Sequence, residues 1–257
     1  MRRARHTSIE ELIRDERRGS LEIFEEALNI LLTSEEACRE ALLLARAHPE
    51  MSALQYLAEA ACRGKLRKLR EFYDNSKVVL ARTCVEHLSD LGVRVVATIS
   101  RSSAVINCIK ELAPSEVLVG ESLPGGEGIE TAKLLSGMGI KVIIVSDSLL
   151  PWVAKRRGAV GLVGADRVTR THLINKAGTF ALACSIDTIA VPGLLKLQDE
   201  PYSIHESLRE FEGISRFEAK YDETPLDKFK SLIFEGIVVD HREIGRVFEK
   251  LYDIIKN

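Results

Sequence analysis

Polar side chains gather where buried strands are expected to end, and the first group is Thr98-Ile99-Ser100-Arg101-Ser102-Ser103. Its hydroxyls and guanidinium lead directly into a helical pattern. Free backbone N–H groups at a helix start attract anions, and an arginine beside them strengthens the binding of a phosphate. The segment therefore predicts an anion site that includes Arg101, Ser102 and Ser103. The alternative is that Ser102 or Ser103 only caps the helix.

A carboxylate, an amide and an ammonium form the second and strongest group. Asp166 follows the apolar run that ends at Val163, and Asn175-Lys176 precedes another helical pattern. We expect Asn175 to cap that helix and Lys176 to lie beside its free N–H groups. An acid facing an amide and an amine suits a ligand with hydroxyls and a phosphate. The alternative is a surface turn in which Asp166 pairs with a neighbouring arginine.

Two weaker signals come from a loop and a single lysine. The Gly-rich stretch from Glu121 to Gly128 contains two carboxylates, which argue against a bare anion site. We expect Glu121 to contact a sugar hydroxyl, with a plain turn as the alternative. Lys196 follows the apolar run Thr188 to Val191 and adds a second cation to the same rim, unless it is a solvated lysine.

The elements that position these groups are of two kinds. From Ile9 to about Gly92, Leu and Ala recur at helical spacing, with helix starts at Thr33 to Glu36 and at Ser52. After Gly92, short Val- and Ile-rich runs alternate with amphipathic helices, which is typical of a parallel sheet covered on both faces. Ligands of such sheets bind at the carboxyl ends of the strands. We therefore predict an α/β protein with a helical domain, 1–92, and a sheet domain, 93–257.

The last part of the chain continues the alternation. We expect a helix from Lys176 to Ile186, followed by strands and a closing helix. Their predicted ranges are Thr188 to Val191, Phe217 to Lys220, Ser231 to Phe234 and, for the helix, His241 to Ile255.

Composition excludes several classes of function. Lys and Arg total 36 against 38 Asp and Glu, and the net charge of -2 argues against direct nucleic-acid binding. Apolar runs are far shorter than the roughly 20 residues of a membrane helix, and no secretion signal is evident. Five cysteines without a CxxC pair are expected to be buried and unpaired, as in a reducing cytoplasm. We expect no metal site, no cofactor and a cytoplasmic location.

Four segments, taken in order, resemble one known family. They are Glu121-Ser122-Leu123-Pro124 with Gly128, Gly164-Ala165-Asp166-Arg167-Val168, Asn175-Lys176-Ala177-Gly178-Thr179, and Tyr221-Asp222-Glu223-Thr224-Pro225 followed by Glu235-Gly236. From about Thr98 onward the chain resembles the α, β and δ subunits of eukaryotic initiation factor 2B, their archaeal relatives, and the ribose-1,5-bisphosphate and methylthioribose-1-phosphate isomerases. The resemblance implies a helical domain before a Rossmann-like domain, a homodimer built through the latter, and an initiation factor as partner.

The isomerase branch of the family implies roles for individual residues. Asp166 matches a catalytic aspartate, Asn175 and Lys176 match residues that hold the substrate, and Lys196 matches a lysine near its phosphate. Ser100, however, stands at the position of the catalytic cysteine, and a hydroxyl does not easily replace a thiol that exchanges protons.

The Arg-Gly phosphate motif of the isomerases is also missing, since only Arg63-Gly64-Lys65 is similar to it. We therefore predict a regulatory protein that binds a phosphorylated sugar or nucleotide without turnover. The alternatives are an aldose-ketose isomerase, such as one acting on ribose-1,5-bisphosphate, and an α/β protein whose pocket has lost its ligand.

Overall fold

The N-terminal part of the chain is helical, as predicted. The computed structural model describes residues 8–15, 18–204 and 206–249. Within these ranges the helices before the first strand are α1 (Ile9–Ile13), α2 (Ser20–Leu31), α3 (Ala37–Ala47), α4 (Ser52–Cys62) and α5 (Leu66–Asp90). The predicted start at Ser52 is confirmed. Gly92 has a φ of +65°, the left-handed conformation that glycine adopts most readily, and ends α5 as expected.

A mainly parallel sheet forms the centre of the molecule. The strands are β1 (Val95–Thr98), β2 (Glu116–Gly120), β3 (Val142–Val145), β4 (Val160–Val163), β5 (Arg167–Val168), β6 (His172–Lys176), β7 (Thr188–Ala190), β8 (Glu206–Phe211), β9 (Ile214–Ala219), β10 (Tyr221–Pro225), β11 (Ser231–Phe234) and β12 (Ile237–Val239). The central sheet has the order β12-β11-β7-β4-β1-β2-β3. All its neighbours are parallel except β12, which runs antiparallel to β11. The predicted α/β class with a mainly parallel sheet is confirmed.

Helices cover both faces of this sheet. They are α6 (Ser103–Leu112), α7 (Glu127–Gly137), α8 (Leu150–Arg157) and α9 (Thr179–Ser185), together with α5. Val117 of β2 is buried in a cluster with Ile109 of α6 and Leu135 of α7. Leu118, the next residue, faces the opposite cluster with Leu150 of α8. Because successive side chains of a strand point to opposite faces, both faces of β2 are buried, which explains its unbroken apolar sequence.

Helix α5 belongs to two cores at once. Leu66 and Tyr73 near its start pack with the N-terminal helices. Leu80, Cys84 and Leu88 near its end pack against the central sheet. The helical region and the sheet are thus joined by one continuous 25-residue helix. The domain boundary between residues 92 and 93 stays a prediction.

Asn175 and Lys176 lie on a strand, so the prediction that they open a helix is wrong. They end β6, which pairs antiparallel with β10 in a small second sheet of order β10-β6-β5. Lys176 is opposite Tyr221, and Asn175 is opposite Asp222. Leu173, earlier in the same strand, is buried. Such a residue suits the half-buried surface of a pleated sheet.

The helix that follows is capped from another strand. Helix α9 begins at Thr179, after Gly178 in a left-handed conformation with φ +105°. The Asp222 carboxylate accepts the N–H groups of Gly178, at 2.7 Å, and Phe180, at 3.1 Å. An acid from β10 therefore does the capping that was assigned to Asn175.

Four of the five cysteines are paired, which corrects the expectation of unpaired thiols. Disulfides join Cys38 to Cys62 and Cys84 to Cys108, with Cα–Cα distances of 4.4 and 6.0 Å. Cys184 is free and exposed. The bridges link α3 to α4 and α5 to α6, helices that are neighbours in space. Spacing along the chain could not reveal this because it does not show which helices pack together.

The region after β7 contains a hairpin that the sequence only partly indicated. Strands β8 and β9 pair antiparallel over Glu206 to Ala219, and the predicted strand Phe217 to Lys220 overlaps only the end of β9. The closing helix starts as a 3-10 turn, His241–Glu243, and continues to residue 249. Its predicted end at Ile255 lies outside the described residues. Across the described ranges, no helix is long and apolar enough to cross a membrane.

Candidate ligand-binding site

Two adjoining cavities lie at the carboxyl ends of β1 and β4, beside the start of α2. The first is lined by most of the residues that the sequence indicated, namely Ser100, Arg101, Ser102, Ser103, Asp166, Asn175 and Lys196. Residues 19–22 line it as well. The second cavity shares Ser100, Arg101 and Asp166 with the first and adds Lys176 and Glu127. The structure thus brings the predicted side chains together, while their roles stay predictions.

Asp166 and Lys196 face each other in the first cavity. The Asp166 N–H donates to the Ile174 carbonyl of β6 at 2.8 Å, which anchors the turn after β4. Lys196 ends a 3-10 helix, Leu194–Lys196, and is only 2% exposed. Its Nζ lies 3.9 Å from Asp166 Oδ1, too far for a hydrogen bond. Burial lowers the pKa of Lys196 to about 8, and the Asp166 carboxylate opposes that shift. The Lys196 ammonium can therefore pair with an anion other than Asp166.

Lys176 and Glu127 form a second, fully buried ion pair. Nζ of Lys176 lies 3.0 Å from Oε1 of Glu127. Desolvation lowers the pKa of Lys176, and the Glu127 carboxylate works against that shift. Glu127 was not singled out from the sequence. Glu127 belongs to the same Gly-rich stretch as Glu121 and is the first residue of α7. Its position as an acid in the first turn of a helix is the sequence signal that could have identified it.

Ser100 is held in a strained conformation. Its φ is +77°, which is uncommon for a residue with a Cβ. Its N–H donates to Ser122 Oγ at 2.7 Å, and its carbonyl accepts the Thr131 hydroxyl at 3.1 Å. Its own Oγ lies 3.5 Å from Glu127 Oε1. Strain of this kind persists only where the surroundings enforce it, and it often marks functional positions.

The turn after β1 presents both a cation and a helix start. Ser102 caps α6, since its Oγ accepts an N–H from the first turn at 3.4 Å, and Ser103 is the first residue of the helix. Ser102 therefore caps the helix, and its contribution to an anion site stays a prediction. Arg101 Nε lies 3.0 Å from Glu22 Oε1. A Cβ on Gly164 would lie 2.4 Å from Ser102 Oγ, so glycine is needed for the Asp166 turn to approach this helix start.

Asn175 lines the first cavity, whereas Glu121 does not. Asn175 is buried, its Nδ2 donates to Thr179 Oγ1 at 3.0 Å, and it lines the first cavity. Glu121 lies within the described part of the chain but lines neither cavity. Its carbonyl accepts the Gly128 N–H at 3.2 Å, which closes the Gly-rich turn. Glu127, and not Glu121, is the carboxylate that this turn delivers to the site.

Two further buried groups, Glu50 and Tyr221, were not indicated by the sequence as site residues. Tyr221 lines the second cavity with Lys220. Desolvation raises the pKa of Tyr221 well above its ordinary value and also raises the pKa of Glu50. The Asp166 charge adds to both shifts.

The site combines buried cations with carboxylates, an amide and a helix start. Such a set can bind a phosphate through Arg101, Lys196 and the first N–H groups of α6, and hydroxyl groups through Asp166 and Asn175. Among the described residues, no group of three or more His, Cys, Asp or Glu side chains could hold a metal ion. The fold and the site define an α/β protein with a cleft, lined by these charged and polar groups, at the carboxyl edge of its sheet.

The family follows from sequence comparison. Residues 3–235 match the Initiation factor 2 subunit family, and the chain belongs to this family. A translation initiation factor eIF-2B subunit 2-like protein of Pyrococcus abyssi is 30% identical over 188 residues, 66% of this chain and 66% of that protein. A ribose 1,5-bisphosphate isomerase of Archaeoglobus fulgidus is 29% identical over 149 residues, which span 54% of this chain and about half, 46%, of the isomerase.

Solved structures show the same fold. Translation initiation factor eIF-2B of Pyrococcus horikoshii OT3 superposes with a TM-score of 0.76 at 21% identity, covering 90% of this chain and 95% of that one. The 5-methylthioribose 1-phosphate isomerase of the same organism gives 0.70 at 17% identity, covering 94% and 86%. The tetrameric eIF2B-beta2-delta2 complex from C. thermophilum gives 0.66 at 16% identity, covering 95% and 93%. At these identities the likeness concerns the fold alone.

Proposed function

We propose that this protein binds a phosphorylated sugar or a nucleotide in the cleft and acts in the cytoplasm as a regulatory member of its family, without isomerase turnover. The observation that carries the proposal is the convergence of Lys196, Arg101 and the start of α6 on one cavity. A buried lysine and a partly exposed arginine beside helix N–H groups can bind a phosphate dianion through charge-assisted hydrogen bonds.

The hydroxyl-binding side of the site supports a sugar. Asp166 and Asn175 line the same cavity as the cations. A carboxylate accepts hydrogen bonds from two neighbouring hydroxyls, and an amide both donates and accepts. A ligand with a phosphate and a hydroxylated ring would use both sides, whereas inorganic phosphate would use only the cationic one.

The chemistry of Ser100 argues against turnover. Its hydroxyl ionises far less readily than the cysteine thiol that the resemblance to the isomerases implies at this position. The carboxylate within 3.5 Å, Glu127, is paired with Lys176 and so is poorly placed to take a proton. Arg63, part of the segment similar to the missing phosphate motif, pairs on the surface with Glu59 at 2.9 Å and lines neither cavity.

An isomerase is the second candidate. It is favoured by the strained φ of Ser100 and by the Asp166 carboxylate beside the buried Lys196. In that case Asp166 would move the proton between adjacent sugar carbons, while Ser100 would orient the substrate. The resemblance to ribose 1,5-bisphosphate isomerases is consistent with it.

Calorimetric titration separates these functions. Ribose 5-phosphate, ribose 1,5-bisphosphate and AMP are titrated into the protein, and any compound that binds is then incubated with it and analysed for a ketose product. Binding without product supports the regulatory function. Product formed at about 1 per second or faster supports the isomerase. No binding of any of the three compounds contradicts both.

Partners are proposed on the same basis. We propose a homodimer formed through the Rossmann-like region and an interaction with a translation initiation factor. Outer strand β3 and the neighbouring α8 support the dimer, because Ile144, Leu149 and Trp152 are exposed there at 46%, 52% and 59%. Large apolar and aromatic side chains are enriched at the core of protein interfaces. Sedimentation at several protein concentrations would test the dimer.

A further inference from the structure

Residues at the beginning of α2 contact two of the cationic side chains that we assign to ligand binding. The Glu22 carboxylate pairs with Arg101 at 3.0 Å. The Ser20 hydroxyl accepts a hydrogen bond from the Lys196 ammonium. Arg101 and Lys196 are the two side chains proposed above to bind phosphate. One short segment, residues 19–22, therefore competes with a ligand for both of them.

Close packing brings this segment against the turn after β1. A Cβ on Gly19 would lie 2.4 Å from the Arg101 carbonyl oxygen, so the contact requires glycine. With the segment in place, the first cavity has a volume of about 30 Å³, which suffices for one or two water molecules. Small-molecule pockets usually measure about 300 Å³ or more. A phosphorylated sugar does not fit the cavity in this form, and residues 19–22 form one of its walls.

The contacts that hold the segment are ones that a phosphate can replace. Within the described residues, Oε2 of Glu22 is buried and has no hydrogen-bond partner. The carboxylate thus uses only one of its two oxygens on the site. A phosphate offers three strong acceptor oxygens and up to two charges. It would therefore satisfy Arg101 and Lys196 better than Glu22 and Ser20 do.

We propose that Gly19–Glu22 is an autoinhibitory latch, which holds Arg101 and Lys196 in the closed protein and leaves when a phosphorylated ligand binds. This inference rests on the proposed function. For such a latch, the apparent dissociation constant equals the intrinsic constant divided by the fraction of open molecules. A change that weakens the latch must therefore tighten ligand binding.

The Glu22→Gln variant tests the latch, because it keeps the side-chain shape and removes the charge that holds Arg101. Glu25→Gln is the matched control on the same helix, since Glu25 lies 3.1 Å from Lys77 and does not line the first cavity. Both variants and the wild type are titrated with ribose 5-phosphate by calorimetry. We expect Glu22→Gln to bind about twofold to fivefold more tightly, as loss of one partly exposed ion pair implies, and Glu25→Gln to bind like the wild type.

The outcomes distinguish the latch from the proposed function. If the wild type binds and Glu22→Gln binds equally or more weakly, the latch is overturned while the proposed function stands. If neither the wild type nor a variant binds ribose 5-phosphate, ribose 1,5-bisphosphate or AMP, both are overturned. Binding by Glu22→Gln alone supports the latch, and it then shows that the closed natural protein does not bind the ligand as the proposed function requires.

Hydrogen exchange gives a second readout that needs no ligand. The Glu22 and Ile23 N–H groups donate to the Gly19 carbonyl at 3.0 and 3.1 Å. Faster exchange of these amides in Glu22→Gln is expected, and unchanged exchange would count against the latch. Gly19→Ala, which should push the segment off Arg101 without a change in charge, is expected to tighten binding where circular dichroism shows that it folds.

Discussion

Glu127 and Lys176 are 49 residues apart in the sequence, yet their charged groups meet at 3.0 Å with side chains only 6% and 1% exposed. The pair joins the start of α7 to the end of β6. It also places Glu127 beside Ser100, so one carboxylate serves both a buried lysine and the strained turn after β1. Removal of either partner leaves an uncompensated charge away from water.

Replacement of Glu127 should destabilise the fold. We expect Glu127→Gln to lower the free energy of unfolding by about 3–5 kcal/mol, since it leaves Lys176 buried without a counter-charge. Glu130→Gln is the control on the same helix, because Glu130 pairs with Lys133 at 2.9 Å on the exposed surface and should cost less than about 1 kcal/mol. Urea denaturation measures both. Similar losses for the two variants would show that burial of the pair is unimportant.

Lys196 should contribute strongly to phosphate binding. Lys196→Met removes a desolvated ammonium, and we expect ribose 5-phosphate to bind more weakly by about 1.5–3 kcal/mol, the contribution of one charge-assisted contact. Lys155→Met, an exposed lysine of α8, should leave the affinity unchanged. Titration calorimetry compares the two variants with the wild type. Unchanged affinity in Lys196→Met would place the ligand elsewhere.

The same lysine predicts a pH dependence. Burial lowers the pKa of Lys196 to about 8, so the side chain is charged below that pH and neutral above it. A phosphate monoester is already largely dianionic above about pH 6. Affinity should therefore fall as the pH rises through about 8 in calorimetric titrations of ribose 5-phosphate. A wild type and a Lys196→Met variant with the same pH profile would show that another group is responsible.

Ser100 offers a test of catalysis. Ser100→Cys introduces a thiol with a pKa near 8.5, which ionises far more readily than a hydroxyl. We expect this variant to gain measurable isomerisation of ribose 1,5-bisphosphate, while the natural protein shows none in the same chromatographic assay. If both bind the compound and neither converts it, the missing Arg-Gly motif, and not only Ser100, accounts for the lack of activity.

Thiol counting tests the disulfides. Alkylation of the denatured, unreduced protein should label Cys184 alone, whereas reduction beforehand should expose all five cysteines to mass spectrometry. Each bridge spans 24 residues, so reduction should lower the free energy of unfolding by about 3 kcal/mol per bridge. Five labelled cysteines without reductant would contradict both pairings.

Several features of the site could be predicted because they depend on local sequence. The unbroken apolar runs of β1 and β4 predict parallel strands, and the carboxyl ends of parallel strands meet at one edge. Ser100, Arg101 and Asp166 follow those strands directly, so their convergence on one cavity needs no knowledge of distant contacts. The capping role of Ser102 was likewise open to prediction, since a cap and its helix are neighbours in the chain.

The features that were missed depend on which distant segments touch. Asn175 and Lys176 resemble a helix start in sequence, but pairing of β6 with β10 draws them into a strand, and Asp222 from β10 caps the helix instead. Local propensity was overridden by pairing with residues more than 40 positions away.

By itself the sequence determined the order of helices and strands as far as β4, the parallel sheet and the edge at which polar groups meet, because each follows from the periodicity of neighbouring residues. The tertiary structure decided which charges are paired within that edge. The tertiary structure pairs Glu127 with Lys176 and Glu22 with Arg101, and it places the Ser20 hydroxyl within hydrogen-bonding distance of Lys196. These contacts arise when the start of α2 approaches the turn after β1 and α7 packs against the sheet. The energy of a buried charge depends on its surroundings in space, which its position in the chain does not reveal.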